Sequence, residues 1–318
     1  MPANFFITVL MSCVSAASIC VSAAQAADML KIAAGQRGKW DGAVAALGHQ
    51  VGIFKKHGID LEILWTSGGG ETMQAVISGS VDIGMNAGTQ GVFAAFAKGA
   101  PIRIISAQAT GDDAYWYVRA DSPVKSMSDM SDRTMAYSTN GSSTHASVLA
   151  LIENSKVAAK PIATGGPSST FTQVMSKQVD AGWSAPPFGI ESLNKGEIRV
   201  IARSNDLPSI RNHTIRVNIA NTQSLVSKAD VYRRFMAAYR ETFQWMYASD
   251  DALQAYSQFA NVSVEIARRI RTEFDRKEMV DPDRIEGLDD LIQESIKFKY
   301  IAAPLTPAQL KDLIQIPR

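Results

Sequence analysis

The stretch "VISGSVDIGMNA" (Val76–Ala87) and the stretch "VMSKQVDAGWSA" (Val174–Ala185) align without a gap, 98 positions apart, and share Val, Ser, Val, Asp, Gly and Ala. This is either a coincidence or the mark of two halves of the chain that build the same local unit. In each copy a helical segment runs into a short apolar strand, with Gly84 or Gly182 expected to let the backbone lie close to whatever sits beyond the strand end. On the repeat reading, the two copies mark equivalent corners of two lobes.

Working outward from the first copy, "MLKIAAG" (Met29–Gly35) reads as a buried strand. Val44, Leu47, Val51 and Phe54 then follow at helical spacing, stopped by Gly58. "LEILW" (Leu61–Trp65) is a strand, Glu71–Ser78 a helix, "VDIGM" a strand, "GVFAAFAKG" a helix and "PIRIISAQ" a strand. Alternating strands and helices predict a mostly parallel sheet. Around the second copy the order recurs, with strands at "RTMAYS", "KPIAT" and "VDAGWS" and helices at "SSTHASVLALIENS" and "SSTFTQVMSKQ". "HTIRVNIANTQSL" reads as a return strand, followed by a long helix with Val231, Phe235, Ala238, Tyr239, Phe243 and Met246 on one face. In the tail, Thr306, Pro307 and Gln309 form a capping-box start. Crossings near Ala120 and His213 give a double hinge.

At 318 residues the chain is about twice the usual domain size, which favours two lobes over one core. A net charge of +1 and the absence of a Lys/Arg run offer no field for nucleic acid or a membrane surface, so binding depends on a local pocket. The apolar segment Phe5–Val14, followed by small residues and "AQA" at Ala24–Ala26, reads as a secretory signal over residues 1–26, although no basic residue precedes it. Both cysteines, Cys13 and Cys20, fall inside that segment. The mature chain is therefore expected to lack disulfides, thiolate nucleophiles and cysteine metal sites.

Ligands of open parallel sheets bind beyond the carboxyl ends of the strands, where helix N-termini also point. That rule selects the loops around Gly35–Gly42, Ser67–Thr72, Asn86–Gln90, Ala109–Trp116, Thr139–His145 and Ser184–Phe188. "SGGGE" lacks the Gly-Lys-Ser/Thr ending of a phosphate loop, so its glycines are better matched to backbone amides holding a small polar or anionic group. Ser142, Ser143 and Thr144 stand at a helix start, where capping alone needs only one of them. Trp40, Trp116, Trp183 and Phe188 are candidate walls or core. Arg37 and Lys39 suit an anion, and Asp112 and Asp113 suit an amine or N–H donor, but solvated loop charges are the commoner explanation for all four. The four histidines show no metal-binding spacing, and Ser143 and His145, two apart on a helix, do not face each other. No catalytic residue, metal or cofactor is expected.

"GGGETMQAVISGSVDIGMNAG", "FAAFAKGAPIRIIS", "YVRADSPVKSMSDM" and "TNGSSTHASVLALI" together resemble the periplasmic solute-binding proteins of ABC importers, of the nitrate/sulfonate/taurine and thiamine-precursor type, over most of Leu30–Arg203. "MSDR" (Met130–Arg133) departs from the pattern, where a Gly usually turns the chain. The resemblance implies a type II periplasmic binding protein fold: two α/β lobes, a two-strand hinge and C-terminal helices. Lobe 1 would comprise residues 27–119 with 214–318, and lobe 2 residues 120–213. It implies ligand contacts from Trp40, Asp41, Gly70, Glu71, Asn86, Thr89, Ser142, Ser143, Thr144, Trp183 and Pro186, with Asp112 added from the reading of the loops. It further implies a monomeric, exported protein of the periplasm that binds a small molecule and docks on an inner-membrane ABC permease. A self-consuming thiamine-pyrimidine synthase is the competing enzyme class, and it needs a cysteine-rich motif that the mature chain lacks. A ligand-sensing domain that serves a membrane receptor would look the same in sequence.

Overall fold

A computed structural model describes residue 1 and residues 27–318; the expected signal segment and both cysteines lie outside the described residues. Among the described residues the strands are β1 (Asp28–Gly35), β2 (Ile59–Thr66), β3 (Ile83–Gly88), β4 (Ile102–Thr110), β5 (Tyr115–Arg119), β6 (Thr134–Tyr137), β7 (Lys160–Ala163), β8 (Gly182–Ser184), β9 (Ile198–Arg203) and β10 (Thr214–Asn221).

The first sheet has the order β2-β1-β3-β10-β4, with β1 to β3 parallel and β10 antiparallel to both its neighbours. In the second lobe β8-β5-β9 form one sheet and β6-β7 a parallel pair, and a parallel bridge between Met135 and Ala181 joins β6 to the start of β8. The combined order, β7-β6-β8-β5-β9, matches the first lobe position for position, so β3 and β8 occupy the same place in their sheets. In each lobe the antiparallel strand next to it, β10 or β5, has arrived from the other lobe.

The repeat is real in three dimensions and longer than the sequence echo. Asp82 accepts the Lys31 amide of β1 at 2.9 Å, and Asp180 accepts the Thr134 amide of β6 at 2.8 Å. The Thr66 and Thr72 hydroxyls meet at 2.7 Å, and those of Thr164 and Thr170, again 98 positions on, meet at 2.6 Å. A Cβ added at Gly84 would stand 2.7 Å from Val76 Cγ2, and one at Gly182 would stand 2.7 Å from Val174 Cγ2. These glycines therefore bring each strand against its own preceding helix. Their expected role of admitting something beyond the strand end is corrected, because β3 continues through Gly88.

The chain passes between lobes twice, at Gly111–Ala114 and between Ser204 and His213. Because β5 pairs with β8 and β9, the first crossing precedes the position expected at 119/120. Tyr115, Trp116, Tyr117 and Val118 are buried in the second core, although residues up to 119 were expected in lobe 1. After β10, the helix Ala229–Ala248 buries Tyr232, Phe235, Met236 and Tyr239 against lobe 1, and Leu291, Ile292 and Leu313 of later helices cover its other face. The Thr306 and Gln309 side chains exchange the two bonds of the expected capping box.

Candidate functional site

Beyond the carboxyl ends of β1, β3 and β6, the facing lobes leave a small cavity of about 20 Å³, room for about one water molecule. Gly35, Gln36, Lys39, Gly69, Asn86, Asp112 and Arg216 line it from lobe 1 and the first crossing; Ala114, Ser138, Ser142, Ser143, Thr144, Trp183 and Ala185 line it from the other side.

Two helix starts face it. The helix Gly69–Ile77 begins after Gly68, and the helix Ser143–Ser155 is capped by Ser142, whose hydroxyl accepts the His145 amide at 3.2 Å. Among the described residues the Gly69 and Ser143 amides donate to no protein acceptor. They are the orphan donors of a first helical turn, and the helix dipole places roughly half a positive charge beside each. The hydroxyls of Ser138, Ser142 and Thr144 form a short chain, with Thr144 Oγ1 2.9 Å from Ser138 Oγ and 3.0 Å from Ser142 Oγ.

On the lobe 1 side lies a buried ionic network. Arg216, near the start of β10, donates through Nε to Asp41 Oδ2 at 3.0 Å and through Nη1 to Asp112 Oδ1 at 2.7 Å, with Nη2 2.8 Å from Asp41. Lys39 Nζ donates to Asp113 Oδ1 at 2.6 Å and lies 3.8 Å from Asp41. Gln108 steadies both ends by donating to Asp41 at 3.3 Å and accepting the Asn86 amide at 2.6 Å. Burial opposes ionisation of Asp41 and Asp112, but the Arg216 guanidinium, aided by Lys39, outweighs it and holds both below the usual carboxylate range. Burial also works against the charged forms of Lys39 and Arg216, yet the surrounding carboxylates keep both above their ordinary values. Asp113 is raised by burial and by Asp112 against the pull of Lys39. Behind the network the Asp275 carboxyl, 3 % exposed, is pushed well above the usual carboxylate range by burial and by the Asp113 and Asp41 carboxylates beside it.

Of the residues expected at the site, Asn86, Asp112, Ser142, Ser143, Thr144 and Trp183 line the cavity. Asn86 sits in a left-handed backbone conformation (φ 64°) with Gly42 packed beneath its carboxamide, and Trp183 anchors its indole N–H on the Gly165 carbonyl at 3.2 Å. Asp41 lies behind the wall as the counter-ion of Arg216. Trp40 is core, packed edge-on against Tyr256 and Tyr247. Glu71 is exposed and accepts the Ser67 amide at 2.7 Å, the role of a helix-start carboxylate. Gly70 donates to Thr139 Oγ1 at the seam between lobes, and Thr89 donates to the Thr214 carbonyl. Pro186 is buried, and its neighbour Ala185 reaches the cavity. Lys39, Asp112 and Asp113 are buried and paired, which corrects their reading as solvated loop charges; only Arg37 of that set is exposed. Trp116 is second-lobe core and bonds the Ala136 carbonyl.

Arg216, Gln108, Ser138 and the loop residue Gln36 were missed. For Arg216 a signal existed, because a lone arginine inside the apolar run "TIRVNIA" has to find a buried partner. Ser143 lines the cavity, while His145 turns to the outer seam, where it stacks on Tyr137 and accepts the Tyr300 hydroxyl at 2.9 Å. Glycines let the lobes approach: a Cβ at Gly70 or at Gly91 would stand 2.1 Å from the carbonyl oxygen of Asn140 or Gly141 respectively.

A family model described as "NMT1/THI5 like" matches residues 43–252. Solved structures that are similar include the periplasmic nitrate-binding protein NrtA from Synechocystis PCC 6803, 14% identical over 91% of this chain and 86% of that chain, with a TM-score of 0.73. The alkanesulfonate-binding protein SsuA from Xanthomonas axonopodis pv. citri is 14% identical over 91% of this chain and 98% of that chain, with a TM-score of 0.71. The desulfurization enzyme DSZB, 14% identical, covers 91% of this chain and 96% of that one, with a TM-score of 0.65. At these identities the likeness establishes the fold, that of periplasmic binding proteins. No curated protein matches the sequence significantly.

Proposed function

Because the chain belongs to the NMT1/THI5-like family, we propose that it captures a small polar or anionic organic solute reversibly between its lobes and delivers it to an inner-membrane ABC permease. The observation that carries this reading is the convergence of two helix-start amides with no protein acceptor among the described residues, one from each lobe, on a single cavity that Trp183 and Ala185 share with the Ser138, Ser142 and Thr144 side chains. Micromolar affinity requires about 8 kcal/mol, and a partly buried helix end contributes at most about 2. The balance comes from the hydroxyl chain, the network-held cations and the Trp183 face, all of which are complete only when both lobes meet.

The periplasm is the compartment in which such capture operates, reached through the signal-like segment at residues 1–26, and the protein works there as a monomer. The site performs no chemical step in this reading. In support, no cysteine follows Cys20, and the histidine nearest the cavity is engaged by Tyr300 outside it. A thermal-shift screen of small polar metabolites on the mature protein, followed by small-angle scattering with and without each hit, tests the proposal. A hit that compacts the protein and is lost on Ser142→Ala supports it. Conversion of a hit into product overturns it.

A further inference from the structure

The repeat builds the same groove twice, and another part of the chain meets only one of the two copies. In lobe 1, Met73 and Gln74 of the helix Gly69–Ile77 and Gly91 of the helix Thr89–Ala97 flank a groove; 98 positions on, Phe171 and Thr172 of the helix Pro167–Met175 and Gly189 flank its twin in lobe 2. The lobe 1 groove is met by Asn140 and Gly141 of the opposite lobe and by Tyr300. Next to them Thr139 Oγ1 accepts the Gly70 amide at 3.0 Å. The residues that line the twin all come from lobe 2 itself, and Ser168, the counterpart of Gly70, has an amide that donates to no acceptor among the described residues. The twin has a volume of about 360 Å³, inside the range of about 300–1,000 Å³ common to small-molecule sites. Tyr117, Phe171 and Phe188 give it aromatic walls, with the Tyr117 and Phe171 ring centroids 6.5 Å apart. Tyr117 is 1 % exposed, and its hydroxyl, packed over Gly182, has no hydrogen-bond partner among the described residues. A buried donor left in that state is costly, so a ligand that supplies an acceptor gains from it. Glu191 at the rim is already paired with Lys195 at 2.6 Å, which leaves no lone charge in the lining to call for an ion.

We propose that the lobe 2 groove is a second binding site, for an uncharged aromatic compound that carries a carbonyl oxygen. The ring lies among Tyr117, Phe171 and Phe188, where aromatic pairs settle at centroid separations of about 4.5–7 Å. The oxygen takes the role that Thr139 Oγ1 has in lobe 1 and accepts the Ser168 amide, at a helix start whose dipole favours an acceptor. The Tyr117 hydroxyl supplies a second donor from the wall. This goes beyond capture between the lobes, because no residue that lines the groove lines the inter-lobe cavity.

Benzamide is the probe, with acetamide, which lacks the ring, and toluene, which lacks the oxygen, as controls. In amide proton–nitrogen correlation spectra of the mature protein, millimolar benzamide should shift the Ser168 and Ser169 signals and bind at least about fivefold more tightly than either control. Tyr117→Phe removes a hydroxyl that has no protein partner, so the fold should be unharmed while benzamide binds about fivefold more weakly, the effect of one hydrogen bond. Phe171→Ala removes one wall and should weaken binding by about tenfold or more. Ser142→Ala, in the inter-lobe cavity, should leave benzamide binding as it was. The inference is overturned if the Ser168 and Ser169 signals stay in place, if a control binds as tightly as benzamide, or if neither groove substitution weakens binding. Loss of benzamide binding in Ser142→Ala also overturns it, by placing the probe between the lobes. Each of these results leaves capture between the lobes standing.

Discussion

Replacing Arg216 with methionine is the most direct probe of the ionic network. The residue is 5 % exposed and is the shared partner of Asp41 and Asp112, which are 0 % and 1 % exposed. Methionine fills most of the volume, so the cost is chiefly that of two carboxylates left in a buried site with Lys39 as their remaining cation. Breaking one side of a buried pair costs about 3–5 kcal/mol, a large share of the roughly 5–15 kcal/mol that holds a protein folded. For a chain of this size each kcal/mol moves the melting temperature by about 2 °C, so a drop of about 6–10 °C is expected at neutral pH. The pH dependence gives the sign. In the unaltered protein Asp41 and Asp112 are held below their ordinary value of 3.8, so their contribution is present above that value and is lost as pH falls through the folded one. Without Arg216, burial prevails and raises both, so the penalty is full well above the ordinary value and fades as the carboxyls take up protons. Urea unfolding at pH about 7 and about 4 should therefore show a gap between the two proteins that narrows on acidification. Adding Asp41→Asn to Arg216→Met should recover part of the loss. Arg234→Met, which breaks more exposed pairs to Asp28 and Asp230, should cost less than about 1 kcal/mol. A gap for Arg216→Met below about 1 kcal/mol at neutral pH, or one that widens on acidification, refutes the argument.

Gly91→Ala places a Cβ 2.1 Å from the Gly141 carbonyl across the seam, so the lobes should stay further apart, giving a larger radius of gyration and at least about tenfold weaker solute binding in a protein that still folds. Thr72→Val and Thr170→Val each remove one hydroxyl pair at equivalent corners, and urea unfolding should show losses of about 1 kcal/mol for each that add in the double variant. Gly84→Ala overpacks β3 against its helix and should cost about 1–3 kcal/mol, with partial recovery when Val76→Ala opens the space.

The repeat, the strand and helix order and the helix-start serines were legible because they follow from periodicity and capping, which are local. The two-lobe division was legible from length and from the 98-residue echo. Strand β5 was not, because a strand that leaves one lobe and enters the sheet of the other carries no local mark of the change; only its pairing with β8 and β9 reveals it. The charged residues misled in the opposite direction. Asp112 and Asp113 sit in a Gly-Asp-Asp loop that reads as solvated, yet each finds its cation more than 70 residues away, at Arg216 and Lys39. Trp40 failed as a cavity wall because its partners, Tyr247 and Tyr256, belong to helices more than 200 residues later that cover the loop from behind.

The location of Arg216 explains why so costly a network is kept beside the cavity. Asp112 lies in the first crossing between lobes; one of its oxygens accepts from Arg216, and the other accepts the Ser204 hydroxyl, where the second crossing begins, at 3.0 Å. Its amide donates to Asn205 Oδ1 at 2.8 Å, and the Gly111 amide donates to the His213 carbonyl at 3.0 Å, so the two crossings are tied to each other. Apolar residues of the same volume would pack here at lower desolvation cost, but they would remove the bonds that tie the first crossing to β10. The guanidinium fork joins Asp112 of that crossing to Asp41 of lobe 1, and it does so from a residue that also lines the cavity. On the proposed capture reading, an occupant of the cavity meets the same side chain that is bonded to the first crossing between lobes.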